Sequence, residues 1–310
     1  MPTKPKPASS NGQRVPQAKR GNGVAGRPAA LTCAAAFRRL ATGCLGEIAT
    51  NQHAAGLGKV DAIHRMRVGI TRLRAAVSFF APMTSDKVWP ELKEELRWLN
   101  RALGSARDVD VVVENLRHQR YRRLTLAGIE KDLERRSRQT RSRLNRALHS
   151  ARFHRFLASA SEWIDRGPWT ARADAHAVSR QDQSIGPFCE RRIARWHKKL
   201  VRDGSELTDL KEEQRHRLRI RAKRLRYMLE MLSTVCPERY LSPYGRMEKP
   251  IKRLQRSLGD LSDLKRLRDW TKSSVAIGSE HLPHGYKREK SAVLADADKA
   301  FRKMAQRTQQ

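Results

Sequence analysis

An all-α fold is the class this sequence predicts, and three observations predict it. From Leu31 onward apolar residues recur at three- and four-residue spacing, the period that gathers them on one face of a helix. Strand-like alternation is scarce over the same span. A block of basic and apolar residues also occurs twice, so the fold is expected to be internally duplicated.

The periodicity predicts helices over 31–50, 60–80, 86–102, 108–119, 128–149 and 152–165. A break at 166–186 carries Gly167-Pro168 and Gly186-Pro187, punctuation that ends helices. Helical spacing resumes over 188–201, 210–235, 248–258, 262–274 and 287–307. Residues 31–310 therefore read as one helical domain with a first half at 31–165, a linker at 166–186 and a second half at 187–310. Residues 1–30 are rich in Pro, Gly, Ser, Lys and Arg and hold no acid. Such a segment cannot bury enough apolar surface to offset its ordering entropy, so it is expected to be a disordered basic tail.

The chain has 310 residues, 39% of them hydrophobic, enough for a sizeable core in one large or two ordinary domains. Its 65 Lys and Arg outnumber 32 Asp and Glu, a formal net charge of +33. That excess repels itself in a compact state, and its use is to meet an anion: nucleic acid, anionic membrane or polyphosphate. Cys33, Cys44, Cys189 and Cys236 form no Cys-x-x-Cys pair, which argues against zinc and against a disulfide framework. No run approaches the length of a membrane span, and 1–30 lacks the apolar core of a secretory signal. A soluble, cytoplasmic protein without a membrane span is expected.

The repeated block runs from His64 to Arg74 and again from His216 to Arg226 at a constant offset, sharing His, four Arg and one Leu. Downstream, Leu99 to Asp108 matches Leu254 to Asp263 with identical Leu, Arg, Leu, Gly and Asp. At about 100° per residue, Ile63, Met66, Ile70, Leu73, Val77 and Phe80 form one apolar stripe. His64, Arg67, Thr71 and Arg74 fall on the adjoining arc, with Arg65 and Arg72 further round. In the second copy Leu218, Ala222, Leu225 and Leu229 face the core, and His216, Arg219, Lys223 and Arg226 share the polar arc. A merely solvated face would accept Lys, Glu or Gln interchangeably, whereas both copies hold His and Arg at matching places and contain no acid. Cations stacked within three turns repel one another, a cost that a multivalent anion removes.

These residues resemble the CHAD family, the conserved-histidine α-helical domain, whose motif runs His-x-x-Arg-hydrophobic-x-x-Arg/Lys-Arg-Leu-Arg. His64 to Arg74 meets it, and His216 to Arg226 meets it again and continues into Tyr227 and Glu230. Leu103 to Asp108 and Leu258 to Asp263 resemble the family's Leu-Gly-x-x-x-Asp elements. The resemblance implies two pseudo-symmetric four-helix units around a basic central cavity that binds inorganic polyphosphate. The implied anion-facing residues are His64, Arg67, Arg72 and Arg74 in the first half, and His216, Arg219, Lys223, Arg224 and Arg226 in the second. Thr71 stands where the family usually has a cation, leaving its hydroxyl as a phosphate donor. Many members carry an upstream triphosphate-tunnel enzyme domain marked by a Glu-x-Glu-x-Lys strand; no such motif occurs here, so that activity is not transferred.

A second basic set, Arg191, Arg192, Arg195, His197, Lys198 and Lys199, is predicted on the helix before the second motif, and Arg38 and Arg39 echo it in the first half. Each is either a solvated surface or part of a cavity wall. Asp108 and Asp110 point away from each other on a helix, so no metal is expected. Asp108 and Asp263 are expected to cap helices after hinge glycines Gly104 and Gly259, or to orient the motif arginines. Trp163, Trp169, Trp196 and Trp270 are expected in the core or linker packing. Without an acid, base and nucleophile set, no enzyme and no cofactor is expected, and phosphotransfer through His64 or His216 is a third reading. Nucleic-acid binding is the main alternative. Against it, aromatics are 6% of the chain, too few to interleave the cations as single-strand binders require. Polyphosphate also reads the same in both directions, as a pair of matching basic faces does. Association with polyphosphate granules would follow.

Overall fold

The computed structural model of the protein describes residues 31–117, 127–171, 175–273 and 286–306, and among these described residues it has thirteen α-helices and no strand. The side chains of 108–117, 127–133, 267 and 270–273 also fall outside the description, as does the tail expected at 1–30. In order the helices are α1 (Cys33–Thr50), α2 (Gln52–Gly56), α3 (Val60–Phe79), α4 (Ala81–Thr84), α5 (Trp89–Arg117), α6 (Ala127–Leu148) and α7 (Ala151–Arg166). Then come α8 (Ala175–Asp182), α9 (Ile185–Asp203), α10 (Glu212–Leu232), α11 (Ser242–Gly245), α12 (Glu248–Ser273) and α13 (Tyr286–Gln306).

Local chemistry sets several of the starts. Thr32 accepts a hydrogen bond from Ala35 N–H at 3.2 Å to open α1, and Ser150 does the same for Phe153 at 3.3 Å to open α7. Asp86 Oδ1 accepts from the N–H groups of Val88 and Trp89, both at 2.9 Å, while its Oδ2 accepts from Trp163 Nε1 at 2.8 Å. One carboxylate thereby caps α5 and ties it to α7.

The motif helices α3 and α10 lie at the centre and pack on each other; α3 also packs on α1 and α5, and α10 on α9 and α12. Outside them α5 pairs with α6 and α12 with α13. The stripe read from the sequence is the buried one: Ile63, Met66, Ile70, Leu73, Val77 and Phe80 are all buried, as are Leu218, Ala222 and Leu225, with Leu229 partly so. Gly69 lets α1 approach α3, since a Cβ there would sit 3.0 Å from Ile48 Cγ1 and 3.2 Å from the Cys44 carbonyl. Phe37 meets Phe80, Trp163 and Trp169 with ring centroids 5.0 to 5.9 Å apart, and Phe79 meets Phe188 and Trp196 at 5.7 and 5.3 Å. Trp163, Trp169 and Trp196 are thus packing residues; the Trp270 side chain lies outside the description.

Two expectations about the backbone are corrected. The helices predicted at 86–102 and 108–119 are one helix, α5, and those at 248–258 and 262–274 are one helix, α12, so Gly104 and Gly259 are not hinges and Asp263 caps nothing. A single glycine costs a helix about 1 kcal/mol relative to alanine. That is too little to break α5, whose Leu92, Leu96, Leu99, Leu103 and Ala106 form one continuous buried stripe through the glycine. The break at 166–186 is also more ordered than its punctuation suggested. It holds a 3-10 turn at Pro168–Thr170 and helix α8, and α9 takes Gly186-Pro187 into its first turn, where proline's missing N–H has no cost. Cys33 N–H donates to the Gln183 carbonyl at 2.8 Å and Ile185 N–H to the Leu31 carbonyl at 3.0 Å, pinning the end of this segment to the start of α1.

All four cysteines are free and buried, and burial pushes the Cys33 and Cys44 thiols up to about 12. Among the described residues no group of side chains could hold a metal ion, and no helix is long and apolar enough to cross a membrane.

Candidate polyanion-binding site

Where α3 and α10 pack together, their polar arcs bring cations from both motif copies into one field. Lys223 on α10 feels Arg219 and Arg226 of its own helix, Arg67 of α3 and Arg107 of α5. Burial first, and then these four like charges, push its ammonium from the usual 10.5 down to about 8. His64 is held below its ordinary range by partial burial and by Arg107, Lys223 and Arg67, against a small opposing pull from Asp61. Partial burial, Arg219, Lys265 and Arg266 do the same to His216. Each of these groups resists carrying its charge in the free protein, and an anion placed among them would reverse that resistance.

The paired glycines have a different use from the one expected. A Cβ at Gly104 would lie 3.0 Å from Arg67 Nη1, and one at Gly259 would lie 3.4 Å from Arg219 Nη2. Each glycine leaves room for a motif arginine to lie against the neighbouring helix, and Arg67 Nη1 donates to the Asn100 carbonyl at 3.4 Å. Asp263 is the largest opposite charge acting on Arg219, in keeping with the expected orienting role, and it pairs with Arg266 at 3.0 Å. The Asp108 and Asp110 side chains lie outside the description. Arg219 Nε and Arg72 Nε are both buried and have no hydrogen-bond acceptor. A buried, unmatched donor costs free energy until something accepts from it.

Arg72 and Arg226 are placed otherwise. Arg72 donates from Nη1 to Glu47 at 3.2 Å and pairs through Nη2 with Glu230 at 3.6 Å, and Arg226 donates to Glu230 and, from Nε, to Gln255 at 2.6 Å. Arg226, Arg72 and the Lys223 ammonium all lie over the Tyr227 ring, at 4.3, 5.4 and 5.5 Å from its centroid. Arg224 feels Arg74 and Arg221, while Arg74 feels Arg97 and Glu94; both are half-buried and neither makes an ion pair with a described residue. Thr71 donates its hydroxyl proton to the Arg67 carbonyl at 2.8 Å, which commits the donor expected for phosphate to its own helix.

The second basic set serves the scaffold. Arg192 donates from Nε to the Phe79 carbonyl at 2.9 Å and from Nη2 to the Ser78 carbonyl at 3.0 Å, covering the C-terminal end of α3. Arg38 lies 5.1 Å over Trp169, and His197 is buried beside Met304. Arg39, Arg191, Arg195, Lys198 and Lys199 are exposed, and no described contact joins them to the α3–α10 field. Sequence reasoning missed Arg107, Lys265 and Arg266, whose only signal was their place beside the repeated Leu-Gly-x-x-x-Asp elements. It also missed Glu47, which lies outside every motif.

A model of the CHAD domain matches residues 39–272, a span holding every principal candidate named above. The chain belongs to the CHAD-domain family. Its fold is that of the crystallised CHAD domain from the plant Ricinus communis, 24% identical to it, with a TM-score of 0.67 over 90% of this chain and 93% of that one. PptA from Streptomyces chartreusis shares the fold at 14% identity and a TM-score of 0.64, over 90% of this chain and all of that one. No curated protein sequence matches. Within the CHAD family the all-α expectation and the resemblance of the two motifs are both met.

Proposed function

We propose that this CHAD domain is a non-catalytic module that binds inorganic polyphosphate on the face shared by α3 and α10. His64, Arg67, Arg74, His216, Arg219, Lys223 and Arg224 would meet the anion, with Arg72 and Arg226 at one border. The observation that carries the reading is the pairing of Lys223, held down at about 8 by burial and by four neighbouring arginines, with the unmatched buried Nε of Arg219. Folding keeps these charges together at a cost, and a phosphate chain offers acceptors to all of them at once. The two matching arcs would be the halves of the expected duplicated, pseudo-symmetric arrangement, with the anion in a cavity between them.

Polyphosphate is favoured over a nucleic acid by the state of the aromatics. Tyr227 is covered by three cations and Phe79 is fully buried under Arg192, so neither ring offers a face to a base. No general base or nucleophile is required, because the charges around the histidines are cations apart from Asp61 beside His64, a set that suits holding an anion rather than cleaving it. Gathering the protein on polyphosphate granules is the proposed cellular consequence. The test is titration with long-chain polyphosphate and with triphosphate at several salt concentrations. The logarithm of the association constant should fall linearly with that of salt, and Arg219→Ala with Lys223→Ala should reduce both affinity and slope. Absence of binding, or affinity indifferent to salt, would refute the reading.

A further inference from the structure

The cation face is not the same at its two ends. Shifted by the offset of 152 that relates the motifs, Tyr227 and Glu230 correspond to Ala75 and Ser78, so the carboxylate belongs to the second copy alone. At that end Glu230 bridges Arg226 and Arg72, and Glu47 takes the other arm of Arg72. Two guanidinium charges are there matched by two carboxylates. Gln255 accepts from Arg226 Nε, and the remaining faces of both arginines rest on Tyr227. Immediately beyond lies a recess of about 290 Å³ where Arg226 meets Glu230, Glu248, Leu229, Leu241 and Ile251, so two carboxylates and three apolar side chains stand beside its one cation. At the opposite end Arg224 feels Arg74, and neither makes an ion pair with a described residue: Glu94 acts on Arg74 but is paired to Arg97, and Arg221 is paired to Asp203.

We propose that Glu230, supported by Glu47, is a specificity-determining stop that occupies Arg226 and Arg72 in place of phosphate, so a bound chain ends there and leaves only past Arg74 and Arg224. The inference rests on the polyphosphate reading and adds direction to it: one closed end, one open. A guanidinium whose arms are held by carboxylates gains little from a further anion, because every phosphate contact must displace or crowd a bond already made. Arg72 and Arg219 each keep a buried Nε without an acceptor, but only Arg72 has both Nη arms on carboxylates; Asp263 acts on Arg219 without an ion pair to it.

The experiment is a double-mutant cycle on the full chain, with long-chain polyphosphate as the probe and melting curves confirming that each variant folds. Glu230→Gln should tighten binding by about tenfold at low salt and steepen the salt dependence by about one counterion, because Arg226 is released to the ligand. Arg226→Ala should cost little in the wild-type background and about tenfold in the Glu230→Gln background. Glu47→Gln, which frees Arg72 from the other side, should act in the same direction and serves if Glu230→Gln is unstable. Weaker or unchanged binding in folded Glu230→Gln, with the wild type binding normally, would overturn the stop and leave the polyphosphate reading intact. Failure of the wild type itself to bind would overturn both.

Discussion

Raising the pH from 7 to about 9.5 should loosen polyphosphate binding through one residue, Lys223. Its ammonium sits among Arg219, Arg67, Arg226 and Arg107, with Tyr227 beneath it, and loses its proton near 8 in the free protein. A bound phosphate chain that cancels the surrounding field would raise it part of the way toward the ordinary 10.5, because burial, the largest single cause, remains. Binding then takes up a proton wherever the pH lies between those limits, so affinity is greatest below about 8 and falls as pH rises toward 10.5. With one unit worth about 1.4 kcal/mol, a rise of about one unit on binding makes affinity drop roughly sevenfold between pH 7 and about 9.5. Isothermal titration in buffers of different ionisation enthalpy reads both the affinity and the proton uptake. Lys223→Arg keeps the charge at every pH used and should flatten the profile. A wild-type profile superimposable on that of Lys223→Arg would refute the reasoning. The same depressed value makes the charged lysine a burden on the free fold. Because the unfolded chain binds this proton more tightly, Lys223 makes stability rise as pH climbs from about 8 toward 10.5. Lys223→Met should accordingly raise the Tm of the free protein at pH 7, by the equivalent of about 2 kcal/mol.

At lower pH the histidines take over: both are held below their ordinary range, an anion favours their protonation, and binding should tighten as pH falls through the histidine range. His64→Gln with His216→Gln should remove that dependence, keep most affinity at pH 8, and leave no phosphohistidine detectable by mass spectrometry after incubation with polyphosphate; a stable phosphorylated histidine would contradict this. Gly104→Ala should separate stability from binding. The helix gains about 1 kcal/mol, while the new methyl, 3.0 Å from Arg67 Nη1, displaces that guanidinium and weakens polyphosphate binding several-fold. A destabilised variant with unchanged affinity would show that the glycine serves packing instead. Arg192→Ala should cost about 1–3 kcal/mol of stability by uncovering the Ser78 and Phe79 carbonyls, and affinity for polyphosphate should stay within twofold once the variant is folded; a large loss of affinity would return α9 to the site.

The helical arcs were legible because their signal is local. A period of 3.6 residues assigns Met66 and Leu218 to the core and Arg67 and Arg219 to the polar side without knowledge of any partner. Motif repetition then marked the helices that lie together at the centre. What could not be read depends on contacts distant in sequence. Arg72 looks like its neighbours in the motif, yet Glu47 and Glu230, on two other helices, decide its environment. Arg107 sits at a variable position inside Leu103 to Asp108, matched by Ser262 in the second copy, and joins Lys223 only through the packing of α5 beside α3. Gly104 and Gly259 were misread as hinges for a related reason: glycine's local cost argues for a break, whereas the buried leucine stripe and the arginine laid against each glycine argue for continuity, and the tertiary terms win. The cysteines give the reverse case. Scattered in sequence, Cys33 and Cys189 both lie near enough to Cys236 in the fold for it to raise their thiols, a proximity no spacing rule foretold.

The central claim is that this CHAD domain selects a bare phosphate chain rather than polyanions in general. Its most direct test is competition: protein saturated with labelled long-chain polyphosphate, challenged with single-stranded RNA and duplex DNA at equal phosphate concentration and equal salt. Retention of the label against excess of either nucleic acid, and its release by unlabelled polyphosphate, is the predicted result. Equal displacement by RNA or DNA would contradict the claim and make the basic face a general nucleic-acid surface.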